Sequence, residues 1–181
     1  MQPGFTLIEL VVVIAIVSIT IAMLLPRVWH WQREARIGHL NYARGAVHSA
    51  AVLVHSAVLS RDNRHDASPC PAGGGIADNR LDGRGSICTE EGLVQTLHGY
   101  PASARVGDAQ PGIVGAAGIG TVFHATPELL RAQGYAVSVD GGVTTIARAD
   151  APQPAQCSFT YTEPPAARTA ATISASVISG C

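Results

Sequence analysis

Residues 4–9, Gly4-Phe5-Thr6-Leu7-Ile8-Glu9, open onto an apolar run over 10–25, and this junction decides how the rest of the chain is read. Between positions 5 and 25 only Glu9 ionises; the other polar side chains are Thr6, Ser18 and Thr20. About 20 apolar residues in a helix span a bilayer core, so the run is long enough to cross a membrane. Its many β-branched residues do not oppose a helix there, because in lipid the backbone must close its hydrogen bonds within the segment. Glu9 is the anomaly. A carboxylate deep in a membrane costs roughly 2.5–3.5 kcal/mol on insertion scales, and such a residue has a role or a partner. The run holds no basic residue to pair with it. The partner must come from a chain end or from another molecule. Cleavage after Gly4 would create an amine on Phe5, and that amine on a neighbouring copy could neutralise Glu9 as helices pack, turning a burial penalty into a drive for assembly.

In order and kind, Gly4 to Leu10 resembles the type IV pilin and type II pseudopilin family, whose leader ends in Gly before Phe-Thr-Leu-Ile-Glu and a hydrophobic helix. The resemblance implies a prepilin peptidase cutting between Gly4 and Phe5, methylation of the Phe5 amine, and a part for Glu9 in subunit register. A secretory signal peptide fits less well, since 1–4 lack Lys and Arg and the apolar run is long. Arg27, Arg33 and Arg36 follow the run on the side expected to be exported, against the positive-inside rule. The motif and the cysteines outweigh that rule here, and a start codon upstream of Met1 would remove the conflict.

The whole chain has 181 residues, with 12 basic and 13 acidic side chains and a net charge of -1. Every basic residue is Arg. Such balance gives no support for a nucleic-acid partner. The four cysteines, Cys70, Cys88, Cys157 and Cys181, permit three pairings. The expected one is sequence-adjacent, Cys70 with Cys88 and Cys157 with Cys181, each closing a loop of roughly 20 residues worth about 3 kcal/mol. No Cys-x-x-Cys spacing supports a metal reading. Disulfides place the domain in an oxidising compartment, beyond the inner membrane.

Pro26 ends the run and is expected to bend or weaken the helix; by resemblance it loosens the helix within a fibre. Helical spacing then resumes through Ile37, Leu40, Ala43, Val47, Ala50, Ala51, Val54 and Val58, with Arg33, His39, Asn41 and Arg44 opposite. One helix is expected over about 5–59. Residues 34–40 and 45–47 resemble the mannose-sensitive haemagglutinin branch of type IV pilins, as do 98–102 and 157–162. Trp29 and Trp31 read as membrane-interface residues.

Residues 61–88 read as a Gly-rich irregular loop held by a disulfide. Asp78, Asn79 and Asp82 hint at a calcium loop, but Arg80 stands where a second oxygen ligand belongs and no Glu closes it. Residues 93–97 read as a short helix. Pro127 to Arg131 read as another, with Pro127 at its first position and Thr126 capping. The C-terminal third reads as four antiparallel strands, 135–139, 143–147, 157–162 and 172–178, the first two joined by Asp140-Gly141-Gly142. Cys157, Phe159 and Tyr161 share one face, and Ile173, Ala175 and Val177 another. His30, His48 and His55 share a helix side too widely spaced for one metal and read as surface residues. No nucleophile motif such as Gly-x-Ser-x-Gly appears.

The sequence therefore predicts an α+β protein: a long N-terminal helix packed by its second half on an antiparallel sheet. Its parts are a leader over 1–4, a membrane or fibre-core helix over 5–26, an amphipathic half over 27–60 and a head over 61–181. The resemblance implies a structural subunit of a type IV pilus, not an enzyme, with no cofactor or metal. It would sit in the inner membrane with its head in the periplasm, then polymerise with itself into an extracellular adhesive fibre. Its partners would be the prepilin peptidase and the assembly platform and ATPase. The alternatives are a type II secretion pseudopilin and a membrane-anchored binding domain.

Overall fold

Thr6 sets where the first helix begins. Its Oγ1 accepts a long hydrogen bond from the Glu9 amide (3.4 Å), and its carbonyl accepts from Leu10 N (3.3 Å). This is an N-cap, with Glu9 three residues on as in a capping box and its acidic group in the first turn, where the helix dipole favours it. The computed structural model describes residues 6–120 and 122–181. In it α1 runs unbroken over Leu7–Arg61, close to the expected 5–59. The chain falls into two units, Met1–Arg36 and Ile37–Cys181.

In the second unit, the three- and four-residue spacing of α1 becomes a buried stripe. Leu40, Ala43, Val47, Ala50, Ala51, Val54 and Val58 are all buried, while His39, Asn41 and Arg44 face outward. The upper part of the stripe, Leu40 to Ala51, joins Ile146, Phe159, Tyr161, Cys157 and Cys181 in the main core. The lower part, Val54 and Val58, packs with Ile87, Val94 and Phe123. One helix thus backs two sheets.

The first sheet has the order β1-β2-β3, from β1 (Arg84–Thr89), β2 (Gly92–Leu97) and β3 (Tyr100–Pro101). It corrects two expectations. Residues 93–97 form a strand, not a helix, and the irregular loop ends before Arg84 rather than at Cys88. β2 buries both of its faces, Leu93 with Cys70 and Ala77, Val94 against α1, and this removes the alternation that marks a half-exposed strand. Between β3 and the short helix α2 (Ile113–Ala116), the chain comes so close that only glycine fits at 112. A side chain there would fall on the Ala102 carbonyl, which accepts the Ile113 amide at 2.9 Å.

Next comes α3 (Pro127–Ala132), placed as expected, with Pro127 in its first turn and Thr126 Oγ1 accepting from Leu129 N. Glu128 sits in that turn, and hydrogen bonds from its own amide and from Thr126 lower its carboxyl pKa. The second sheet has the order β4-β5-β6-β7, all antiparallel: β4 (Tyr135–Asp140), β5 (Val143–Arg148), β6 (Ser158–Thr162) and β7 (Thr172–Ile173). Asp140 pairs with Val143, so Gly141 and Gly142 alone make the turn, both at positive φ. Cys157, Phe159 and Tyr161 point together into the core, as their alternation requires.

The last strand is shorter than expected. The Ser174 hydroxyl takes the Thr160 amide (2.9 Å), a bond that a ladder would give to a carbonyl. After that only Ser158 and Val177 bridge, and Ala175 and Val177 are exposed whereas Ile173 is half-buried.

Both expected disulfides are present, Cys70–Cys88 and Cys157–Cys181. Loop 61–83 is also held by a polar knot. Asn79, fully buried, donates to the Arg64 carbonyl (2.7 Å) and Asp66 Oδ1 (2.8 Å), and accepts from Arg61 Nη1 (3.1 Å). Asp78 accepts from the Ser86 amide (2.7 Å). Asp78 and Asn79 are two of the three residues that hinted at calcium, and here they bond to other groups of the protein itself.

The two sheets are stitched together. Tyr161 Oη donates to the Pro101 carbonyl (2.6 Å), Ser103 N donates to Glu163 Oε2 (2.8 Å), and Ser103 Oγ to the Gly142 carbonyl (2.9 Å). Burial, then the nearby Glu163 carboxylate and Tyr100, raise the Tyr161 pKa well above the ordinary phenol value. The folded state therefore keeps this proton at a pH where the unfolded chain loses it. Stability is unaffected below pH about 10 and falls above it, by up to about 1.4 kcal/mol per pH unit. In an alkaline titration followed by phenolate absorbance, one of the four tyrosines should stay silent until the chain unfolds. Four phenols titrating together in a folded chain would contradict the burial.

Candidate functional site

The sequence motif places the site at the start of α1. Over Leu7–Leu25 the helix has a mean hydropathy of 2.8 and none of it is buried within the chain. Leu7 is 80% exposed and even the least exposed large side chain, Val17, is 47% exposed. This is length and apolarity enough to cross a membrane. Its few polar groups are already satisfied by the helix. Ser18 Oγ donates to the Ile14 carbonyl (2.6 Å), and Thr20 Oγ1 donates to those of Val17 (2.8 Å) and Ile16 (3.1 Å). Hydroxyls bonded back one turn no longer need water, so these residues do not disqualify the segment from lipid.

Glu9 differs. Its amide is capped by Thr6, but its side chain is exposed, in the first turn of a helix whose flank is otherwise hydrocarbon. The sequence reading gave Glu9 a role between molecules and missed Thr6 as the cap of its amide, although the Thr6-x-x-Glu9 spacing was the signal. Gly4 and Phe5 lie outside the described residues, as do the side chains of Pro26 and Trp29. Trp31 is 65% exposed.

The prokaryotic N-terminal methylation motif is matched over residues 1–25. The N-terminus is of the prepilin type. With the apolar helix and the α+β layout that follows, this prepilin-type chain is consistent with the type IV pilins and pseudopilins, and its motif implies processing by a prepilin peptidase and anchoring in a membrane. No curated protein and no solved structure matches the chain.

Elsewhere, the structure separates the histidines that the sequence had grouped. His30, His39 and His48 are exposed on α1. His55 is not the surface residue expected: it is half-buried and stacks on Tyr100, ring centres 3.8 Å apart and planes within 10°. Forty-five positions separate the two residues, and nothing in their local spacing announces the contact.

Proposed function

We propose that this prepilin-type chain is the structural subunit of a type IV pilus of the mannose-sensitive haemagglutinin kind. It is cut between Gly4 and Phe5, methylated on the Phe5 amine, held in the inner membrane with its head in the periplasm, and polymerised into an extracellular fibre that serves adhesion. It works as a building block rather than as a catalyst. The observation that carries this reading is the wholly uncovered apolar helix with a single carboxylate at its head. Lipid can cover the hydrocarbon, but only a cationic partner offsets Glu9, and the processed amine of a second copy has the right charge and position along the chain. Staggered helices covering one another, with Glu9 fixing register, then supply both demands. The two disulfides suit an exported head.

The Glu9→Ala variant tests the pairing. Removing one partner of a buried ion pair costs about 3–5 kcal/mol, so fibre yield should drop about tenfold or more. The head, a separate compact unit, should melt as before. Normal fibres from this variant would end the proposal. Mass spectrometry of the mature N-terminus reports cleavage and methylation, and electron microscopy of shed surface fibres separates a pilus from a short periplasmic pseudopilus.

A further inference from the structure

A strand at the edge of a sheet carries unpaired backbone groups, and proteins blunt such edges. The two sheets have four edges, and three of them are blunted. On β1 the Ser86 carbonyl takes the Asn79 amide (2.9 Å), the Ser86 amide donates to Asp78 Oδ1 (2.7 Å), and the Cys88 carbonyl takes Arg61 Nη2 (3.3 Å). Strands β3 and β7 are two residues long, and β3 ends in Pro101, which has no N–H. β4 is different. Its six residues, Tyr135 to Asp140, pair with β5 one for one, and they include no bulge, no proline and no basic side chain.

The register says which groups this edge presents. The two-residue turn makes Asp140–Val143 a hydrogen-bonded pair, and bonded and non-bonded pairs alternate from there. Arg148, opposite Tyr135, follows the alternation: its amide donates to the Cys157 carbonyl, away from β4. Val137 and Val139 therefore turn their N–H and C=O groups away from β5. Among the described residues nothing bonds these groups. A donor and an acceptor at every second residue are what the backbone of another strand matches. The side chains divide by face. Val137 packs on the main core, while Ser138 and Asp140 are exposed.

We propose that β4 pairs antiparallel with β4 of a second copy, about a twofold axis at Ser138, so that two four-stranded sheets become one. The edge is self-complementary in this register. Val137 meets the partner's Val139, and Val139 meets the partner's Val137, each pair exchanging both backbone bonds. Ser138 lies beside the partner's Ser138, and Asp140 beside the partner's Ala136, so no like charges are opposed. One face of the joined strands is then continuous valine, and the other carries the serine hydroxyls. A twofold contact closes on itself, whereas a fibre grows by head-to-tail contacts. The pairing is a separate association of heads and does not rest on fibre assembly.

The test uses the full chain in detergent at micromolar concentration. On the axis the two copies of residue 138 form a non-bonded pair with Cα atoms about 4.5 Å apart, within disulfide reach. Ser138→Cys in a glutathione buffer should therefore give a disulfide-linked dimer as the main band on a non-reducing gel. Asp140→Cys, at another exposed position, should give roughly tenfold less, because its copies stand about 13 Å apart along the strands. Ser138→Arg and Ser138→Asp each set like charges on the axis. Either alone should lower the dimer fraction in sedimentation velocity about fivefold, and an equimolar mixture of the two should restore it. Both should melt as the wild type does, since the side chain is exposed. Absence of the linked dimer from Ser138→Cys overturns the proposal, as does equal linking from both cysteine positions. So does a mixture of the charged variants that pairs no better than either alone.

Discussion

Replacing both Cys157 and Cys181 by alanine should lower the stability of the head by about 3.5 kcal/mol, the chain-entropy value for the loop this bond closes. The two cysteines are 24 positions apart in sequence, with 0% and 5% of their surface exposed, inside the main core. The bond does more than shorten a loop. Beyond β7 the chain is also held by the Ser158–Val177 bridge, by Ser174, whose carbonyl accepts from Arg44 Nε (2.7 Å), by Ser176 Oγ donating to Asn41 Oδ1 (3.0 Å), and by Gly180, whose amide donates to the Gln156 carbonyl (2.9 Å) and whose carbonyl accepts from the Gln153 amide (3.2 Å). Without the disulfide only non-covalent contacts, several of them exposed, keep this chain end from fraying. At about 2–4 °C per kcal/mol for a chain of this size, the melting temperature should fall by roughly 10 °C. A melt that is indifferent to the double substitution would show the tail to be held by other means. The Cys70–Cys88 pair, in its own small cluster away from the main core, should instead loosen the preceding loop and leave the four-stranded sheet standing.

Tyr161→Ala carries the second large effect. Truncating a buried aromatic costs about 3–5 kcal/mol. Tyr161 is fully buried in β6, between the helix stripe and the first sheet. Tyr161→Phe separates packing from hydrogen bonding. It keeps the ring and removes only the donor to the Pro101 carbonyl, leaving a buried acceptor unpaired at about 1–3 kcal/mol. Urea unfolding should therefore rank the wild type above Tyr161→Phe, and that variant well above Tyr161→Ala. Equal midpoints for the two variants would mean that the hydroxyl, not the ring, holds the sheets together.

The half of the fold that was legible in the sequence is the half with a clean period. From Leu40 to Val58 the three- and four-residue spacing has one solution, a helix with one wet and one dry side. Cys157, Phe159 and Tyr161 alternate because their strand has one buried face, and Asp140-Gly141-Gly142 supplies the positive φ a two-residue turn demands. The first sheet was illegible for a physical reason. β2 puts Leu93 into one cluster and Val94 into another, on opposite faces, and apolar residues at 93, 94 and 97 then imitate a helix. β1 offers a single deeply buried residue, Ile87. The final strand failed because a serine hydroxyl, invisible to patterning, takes a ladder position.

The candidate sites divide in the same way. The N-terminal motif is contiguous, so its residues could be read together. The His55–Tyr100 stack joins α1 to β3, and the two rings meet only after the first sheet has settled on the helix. Their meeting depends on tertiary contacts that no local window contains.

That shared helix, with the Tyr161, Glu163 and Ser103 stitches, also decides how the head comes apart. Each sheet packs its own cluster on a different stretch of that one helix, so the helix and these stitches are what couple them. Backbone amides in both should then be released to solvent in a single cooperative opening, which leaves a protease no half-open intermediate to attack.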